Sequence, residues 1–104
     1  MGPVKKILLI LLFLTFVSSV FADDKMALGL DVYSNKAQCG VCHTLQAAGS
    51  SGNIGPNLDQ LRHSMSQIIY TVTNGIGVMQ AWGGILTLEE IEAVAYYVFN
   101  STNK

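Results

Sequence analysis

The stretch that decides the fold is Cys39-Gly40-Val41-Cys42-His43. Its two cysteines are the only ones in a chain of 104 residues, so the chain has no framework of disulfides. Two cysteines two residues apart, followed directly by histidine, form the attachment motif of a c-type haem. The two thiols can add to the two vinyl groups along one haem edge, and the next imidazole then points at the iron. The motif predicts one covalent haem c held by Cys39 and Cys42, with His43 on the iron.

Three other kinds of site use closely spaced cysteines. A dithiol redox site would need a strand–helix unit around the motif, and the sequence predicts none. A zinc site would need a second pair of cysteine or histidine ligands, which the chain lacks. A structural disulfide between Cys39 and Cys42 would leave His43 and the long glycine-rich loops without a role. Haem therefore accounts best for the motif.

The first 22 residues have the composition of a targeting segment. Met1–Lys6 ends in two lysines, Ile7–Val17 is almost wholly apolar, and Val20 and Ala22 precede a suitable cleavage point. This order is typical of a secretory signal peptide. The apolar run is short for a membrane-spanning helix, which is the alternative. The sequence predicts a cleaved signal at 1–22, a single domain at 23–104 without a membrane span, and export to a bacterial periplasm.

The predicted domain carries four basic and seven acidic residues, a net charge of −3. This balance excludes nucleic-acid binding through a basic patch. The apolar content is too high for a disordered chain. A domain of this length has a marginal core unless something else supplies buried surface, and a bound haem would supply it.

Hydrophobic periodicity predicts an all-α fold with three main helices and no β-strand. The first helix covers Asp23–Ala37, and Leu58–Arg62 forms one short helical turn. The second begins at the cap Ser64 and ends at Asn74-Gly75, and the third begins at the cap Thr87. Loops at Ala47–Leu58 and Ile76–Leu86 are rich in glycine, and loops this long in a small domain favour a wrapped cofactor.

From Gly29 to the C-terminus the sequence resembles the small class I monohaem cytochromes c. The matching pieces occur in the family's order: Gly29, Tyr33, Cys39–His43, Gly55–Leu58, Asn74–Met79 and Thr87–Tyr97. The resemblance implies the class I cytochrome c fold, with three main helices wrapped around one covalent haem. It also implies that the first and last helices cross near Gly29, with Tyr33 against the last helix around Val94 and Tyr97.

The resemblance further implies the roles of two site residues. The carbonyl of Pro56 should accept the second imidazole proton of His43, which orients the ring. Met79 should be the second axial ligand, and it lies on a glycine-flanked loop from which a thioether could reach a pocket. Met26 and Met65 are expected to serve packing.

Three further residues near the predicted loops are Trp82, Tyr70 and His63. Trp82 could belong to the core, but a buried indole N–H needs a partner, for which a haem propionate is our candidate. Tyr70 could serve the same way or simply pack. His63 lies beside Arg62 and a helix cap, which favours a solvated surface histidine.

The sequence departs from the family pattern at two places. Between Tyr33 and Cys39 it is about two residues longer than the simplest members, so the first helix should end in a small bulge. After Met79 the family usually has proline, whereas this chain has Gln80, which raises a question about loop rigidity but not about ligation.

Two protein ligands leave the iron no open site, so the predicted function is one-electron transfer and not enzymatic turnover. One alternative is peroxidase-like activity through an opened Met79 site. Another is service as the dedicated cytochrome subunit of a periplasmic dehydrogenase. Expected partners are redox proteins such as a dehydrogenase, an oxidase or another cytochrome. The stretches Cys39–Leu45 and Gly55–Asp59 are similar to cytochromes paired with molybdenum sulfite dehydrogenases.

Overall fold

The computed structural model describes residues 20–103, so most of the predicted signal segment at 1–22 lies outside the described residues. Residues 20–31 form helix α1, which continues as a π-helical turn at Val32–Lys36. The remaining elements are, in chain order, a 3₁₀ turn at Cys39–Val41, strand β1 at Thr44–Leu45, a 3₁₀ turn at Gln46–Ala48, strand β2 at Ser50–Ser51, and helices α2 at Leu58–Leu61, α3 at Met65–Asn74 and α4 at Leu88–Thr102.

Helices α3 and α4 begin at the residues that the sequence predicts, each with a complete capping box. The Ser64 hydroxyl accepts from the Gln67 N–H at 3.2 Å, and the Gln67 side chain accepts from the Ser64 N–H at 2.9 Å. Thr87 and Glu90 make the same pair of bonds at 3.1 and 2.9 Å. Each box satisfies two backbone donors that the first helical turn would otherwise leave without partners.

The first and last helices cross at Gly29, as predicted. A Cβ atom on Gly29 would lie 2.2 Å from the Ala93 carbonyl oxygen and 2.5 Å from Cβ of Tyr97, so only glycine permits this approach. One turn later, the ring of Tyr33 lies 6.1 Å from that of Tyr97 at a tilt of 54°. Such tilted aromatic pairs are favourable beyond their buried area.

The predicted bulge at the end of the first helix is the π-helical turn Val32–Lys36. The Ala37 N–H donates to the Val32 carbonyl at 2.8 Å, five residues back instead of the usual four. The wider turn absorbs added length while Val32 and Tyr33 stay buried. It also brings Lys36 to Glu90 of α4, with which it forms an ion pair.

The prediction of no β-strand was wrong in one place. Strands β1 and β2 form a small antiparallel hairpin that pairs Thr44 with Ser51 and Leu45 with Ser50. Gly49 closes it with a φ of +67°, in the left-handed region that glycine tolerates. Two-residue strands are too short to show an alternating pattern, yet the hairpin places the fully buried Leu45 in the core.

The core lies between the end of α1, the hairpin and α4. Helix α2 packs on α4 and β1, and α3 packs on α4. The buried apolar side chains in this cluster are Val32, Tyr33, Leu45, Leu86, Ile91, Val94, Tyr97 and Val98. Within residues 20–103, no helix combines the length and apolar character that crossing a membrane requires.

Candidate haem site

The attachment motif forms a tight turn that aims its reactive side chains into one cavity. Gln38 enters the turn with a φ of +49°, and the Cys39 carbonyl accepts from the N–H groups of Cys42 and His43 at 3.2 and 3.0 Å. Both cysteines are free thiols, and both line the cavity together with His43. A 3₁₀ turn therefore places two thiols and an imidazole on a shared wall.

Strand β2 and the next residue, Gly52, pack against this turn. A Cβ atom on Gly52 would lie 2.6 Å from the carbonyl oxygens of Gly40 and Val41, so the backbones are in direct contact. The hydroxyl of Tyr33 is 2.8 Å from that of Ser50 on β2. This hydrogen bond joins the hairpin to the π-helical turn, and the attachment turn lies between them.

The ring of His43 is fixed by a hydrogen bond and by steric contact. Its Nδ1 lies 2.7 Å from the carbonyl oxygen of Pro56, which can only accept, so Nδ1 carries the proton. Nε2 therefore keeps its lone pair for a metal. A Cβ atom on Gly55 would lie 2.7 Å from Cε1 of the ring. Glycine at this position lets the backbone lie flat against the imidazole.

The Met79 loop is fastened to the C-terminal end of α3. Gly75 packs under it, since a Cβ atom there would lie 2.6 Å from the Met79 carbonyl oxygen. The Met79 N–H donates to Ile76 at 2.9 Å, and the Trp82 N–H donates to the carbonyl of Val72 at 2.9 Å. Backbone bonds at both ends thus hold the loop although Gln80 replaces the family's proline.

All six predicted site residues line one cavity of about 910 Å³. They are Cys39, Cys42, His43, Pro56, Met79 and Trp82. Apolar residues also line it, among them Ile54, Leu58, Ile68, Val72, Ile76 and Val78. The volume lies at the upper end of the range for ligand pockets. Two thiols, an imidazole nitrogen, a thioether and an apolar lining together fit an iron porphyrin.

Sequence reasoning missed the wall that α4 contributes. Val94, Val98 and Thr102 lie at successive four-residue steps and face the cavity. The Thr102 hydroxyl donates to the Val98 carbonyl at 2.9 Å, so this buried polar side chain needs no partner inside the cavity. The four-residue spacing of Val94 and Val98 in the sequence indicates a buried helix face, but it does not separate contact with the core from contact with a cofactor.

The other residues considered above differ in whether they line the cavity. Met26, Met65 and Tyr70 do not line the cavity. His63 is exposed, as the sequence suggested, but it also lines the cavity between α2 and α3. Lys36 lines the wall nearest α1.

Burial is the main cause of the pKa shifts of Cys39 and Tyr33 around the attachment turn. It raises the pKa of the Cys39 thiol to about 11, so the uncoupled side chain is a neutral thiol at physiological pH. Burial also raises the pKa of Tyr33, against the opposing effect of its hydrogen bond to Ser50. Within residues 20–103, no group of three or more histidine, cysteine or acidic side chains could hold a metal ion.

Comparison with known proteins gives the family. Residues 24–98 match the family described as cytochrome c oxidase, cbb3-type, subunit III. The crystal structure of the c-type cytochrome SorU from Sinorhizobium meliloti superposes with a TM-score of 0.73 and 46% identity, covering 79% of this chain and 95% of that one. The chain is a class I monohaem cytochrome c.

Curated relatives agree with this assignment. The cytochrome is 34% identical to cytochrome c6 of Tetradesmus obliquus, over 75% of this chain and 92% of the relative. It is 37% identical to cytochrome c6 of Rippkaea orientalis, over 89% and 91% of the two chains. These similarities show that the cofactor is a covalently bound haem c, and that the protein is an electron-transfer protein whose partners are other redox proteins.

Proposed function

We propose that this cytochrome is a periplasmic one-electron carrier whose haem is attached through Cys39 and Cys42 and whose iron is bound by His43 and Met79. The observation that carries the proposal is the convergence of these four side chains on one cavity. It is strengthened at His43, where the bond to Pro56 leaves Nε2 available to the metal.

When haem is bound, these protein groups would act on the iron ligands and on the reduction potential. The hydrogen bond from His43 to Pro56 raises the basicity of the imidazole, so it would bind the iron more strongly. A thioether ligand favours the reduced iron, so Met79 would raise the reduction potential relative to a second histidine. The apolar lining acts in the same direction by disfavouring the more highly charged oxidised state.

The hydrogen bonds that hold the Met79 loop favour electron transfer over enzymatic turnover. The bonds at Ile76 and Val72, together with the tight packing of Gly75, resist opening of the loop. A closed loop leaves no iron site for peroxide, and ligands that stay in place keep reorganisation between the redox states small. Trp82, half-buried on the same loop, would donate its indole N–H to a haem propionate.

The donor and acceptor complete the proposal. We place the mature protein, from Asp23 onward, in the periplasm. There it would carry electrons from a dehydrogenase or respiratory complex to an acceptor, and a sulfite dehydrogenase is one candidate donor. Residues 37–58 and 63–88 contain no Asp, Glu, Lys or Arg, and a surface built from these two segments would fit brief contacts with such partners.

The mass of the exported protein tests attachment and export together. Protein from a host with cytochrome maturation should have the mass of residues 23–104 plus one haem, and the haem should stay bound through denaturation. Changing Cys39 and Cys42 to alanine should abolish the covalent mass increase. A bare polypeptide mass from the unaltered chain would contradict the proposal.

The visible spectrum tests the second ligand. The oxidised protein should show the charge-transfer absorption of a thioether bound to Fe(III), and Met79→Ala should abolish it and lower the potential. The control is Met65→Ala, because Met65 lies outside the cavity wall. Loss of the band in the control variant, or its survival without Met79, would show that the ligand is assigned wrongly.

A further inference from the structure

Asp59 is the only acidic residue between positions 32 and 88. It is half-buried on α2 and does not line the cavity. Among residues 20–103, both ion pairs are made by other acidic residues, so the Asp59 carboxylate has no cationic partner there. It binds the main chain instead, since its Oδ2 accepts the Gln46 N–H at 2.9 Å.

The Gln46 N–H depends on this acceptor. Gln46 is the first residue of the 3₁₀ turn at Gln46–Ala48, and the first N–H groups of a helical turn have no acceptor within it. The preceding residue, Leu45, makes no side-chain cap. A carboxylate from another element therefore caps the turn, and hydrogen bonds to charged acceptors are among the stronger ones. The bond joins α2 to the residue that follows strand β1.

The same two stretches of chain carry the bond that orients His43. Three hydrogen bonds join residues 42–46 to residues 55–59, each between positions thirteen apart: from the Gly55 N–H to the Cys42 carbonyl at 2.7 Å, from His43 Nδ1 to the Pro56 carbonyl at 2.7 Å, and from the Gln46 N–H to the Asp59 carboxylate at 2.9 Å. The constant separation means that the two segments run side by side in the same direction. The His43 bond is the middle one, so a bond on either side of it limits how it can move.

Asp59 is itself held in place close to Pro56. Its N–H donates to the Asn57 side chain at 2.9 Å, which caps the first turn of α2. Only Asn57 and Leu58 separate it from Pro56, and Leu58 packs against the buried core cluster. Without the bond to Gln46, the Pro56 carbonyl would be fixed on one side only, and its angle to the imidazole would vary more.

We propose that Asp59 is a positioning residue for the iron ligand His43. By binding the Gln46 N–H, it keeps the Pro56 carbonyl on Nδ1 of the imidazole, and that contact sets how strongly the imidazole binds the iron. The inference rests on the iron ligation by His43 proposed above. A weaker contact makes the imidazole less basic, so the oxidised iron is stabilised less. Loss of the Asp59 bond should therefore raise the reduction potential.

Two variants of the haem-loaded protein remove this bond from opposite sides. Asp59→Ala removes the acceptor. Gln46→Pro removes the donor, and the backbone accepts proline there because the preceding Leu45 is extended, with φ −150° and ψ 109°, and because proline suits the first position of a helical turn.

Both variants should loosen the contact between His43 and Pro56. NMR of the reduced protein should show the Nδ1 proton of His43 exchanging with solvent about tenfold faster, the factor expected for a hydrogen bond that contributes about 1.4 kcal/mol. The reduction potential should rise in both. The double variant should change no more than either single one, because all three lack the same bond.

Two controls separate this bond from charge and from general effects on α2. Asp59→Asn keeps an amide oxygen that accepts the Gln46 N–H, so its exchange rate and potential should stay close to those of the unaltered protein. Gln60→Ala changes an exposed neighbour on α2 that does not line the cavity, and it should leave both measurements unchanged. A potential that shifts as far in Asp59→Asn as in Asp59→Ala would overturn the proposal, because charge and not position would then be responsible.

The same NMR spectra distinguish the possible failures. The amide proton of the fully buried Ala95 in α4 reports unfolding of the whole chain, and exchange at His43 that rises only as much as exchange at Ala95 would reduce Asp59 to a stabilising residue and overturn its positioning role. In the oxidised unaltered protein, the ring protons of an iron-bound His43 should show large paramagnetic shifts. Their absence would contradict the ligation itself, and the role of Asp59 with it. Paramagnetic shifts together with unchanged exchange in both variants would leave the ligation standing and reject Asp59 alone.

Discussion

At the scale of single residues, Gly55 shows how one missing methyl group shapes the proposed iron site. Its Cβ position lies 2.7, 3.0 and 3.2 Å from three atoms of the His43 ring. Gly55→Ala must therefore push the ring or its own backbone away, and overpacking of this kind costs about 1–3 kcal/mol. We expect a lower free energy of unfolding in denaturant titrations and a weaker low-spin spectrum, because the imidazole no longer points squarely at the metal.

Gly49→Ala is the matched control for Gly55→Ala. A Cβ atom on Gly49 meets nothing within 4 Å, but its φ of +67° strains any other residue by about 1–2 kcal/mol. This variant should lose a similar stability and keep its spectrum unchanged. If both variants keep the spectrum, contact with Gly55 does not set the orientation of His43.

Single residues also show which site members a sequence can reveal. The spacing of the motif is enough to propose His43 as an iron ligand, because the covalent chemistry fixes that spacing. The resemblance to the cytochromes c supplied Met79 and Pro56. Contacts of Gly55 and Gly52 could not be predicted, since each glycine touches a segment about ten residues away that only the folded chain brings close.

At the scale of secondary-structure elements, the ion pair between Lys36 and Glu90 joins the π-helical turn to α4. The hydrogen bond from Lys36 lowers the pKa of Glu90 below its ordinary value of 4.5, with further help from the backbone N–H of Thr87. A carboxyl whose pKa falls on folding stabilises the folded state above its ordinary pKa. That contribution disappears as pH falls below 4.5 and Glu90 becomes protonated.

Glu90→Gln isolates this charge, because glutamine can still complete the capping box, as Gln67 does in α3. The variant should melt at a lower temperature than the unaltered protein at pH 7, and the difference should close as pH falls below 4.5. Thermal melts across this range measure it. A difference that stays constant with pH would mean that capping, and not the ion pair, is responsible.

Secondary-structure elements could be predicted where the sequence pattern that indicates them lies within the element itself. Capping boxes and the 3.6-residue period of Ile91, Val94 and Val98 lie within one helix, so the sequence located α3 and α4. The bulge at the π-helical turn was predicted because the segment between Tyr33 and Cys39 is longer than in the simplest family members. The hairpin at Thr44–Ser51 could not be predicted from the sequence, because its two-residue strands depend on the packing of Leu45 and on the Tyr33–Ser50 hydrogen bond.

At the scale of the whole molecule, the haem should be part of the hydrophobic core. The buried apolar cluster of the described chain has eight members, and the cavity wall is built from segments distant in sequence. A core this small does not offset the conformational entropy of so many loop residues. Mature protein with Cys39→Ala and Cys42→Ala, purified without haem, should show weak helical circular dichroism and no cooperative melt. A sharp two-state melt would refute this expectation.

The surface around the cavity is apolar and nearly uncharged. No Asp, Glu, Lys or Arg occurs from Ala37 to Leu58 or from His63 to Leu88. Several apolar side chains lining the cavity are also exposed to solvent, namely Val41 at 63%, Ile54 at 67%, Ile76 at 71% and Val78 at 93%. Lys36 is a cation on this wall, and its charge is balanced by Glu90. An electron would thus cross a surface suited to small, short-lived contacts.

A neutral contact surface limits how strongly charge can steer the partners together. The remaining carboxylates, such as Asp31 and Glu92, lie outside the two uncharged segments, and salt screens charges beyond about 8–10 Å. The bimolecular electron-transfer rate with the natural partner should therefore fall less than about tenfold from low to physiological ionic strength, against the 10–10³ that steering can supply. Stopped-flow rates at several salt concentrations measure this. A hundredfold fall would show that charged residues outside the loops control docking, because neutral apolar contacts are insensitive to salt over this range.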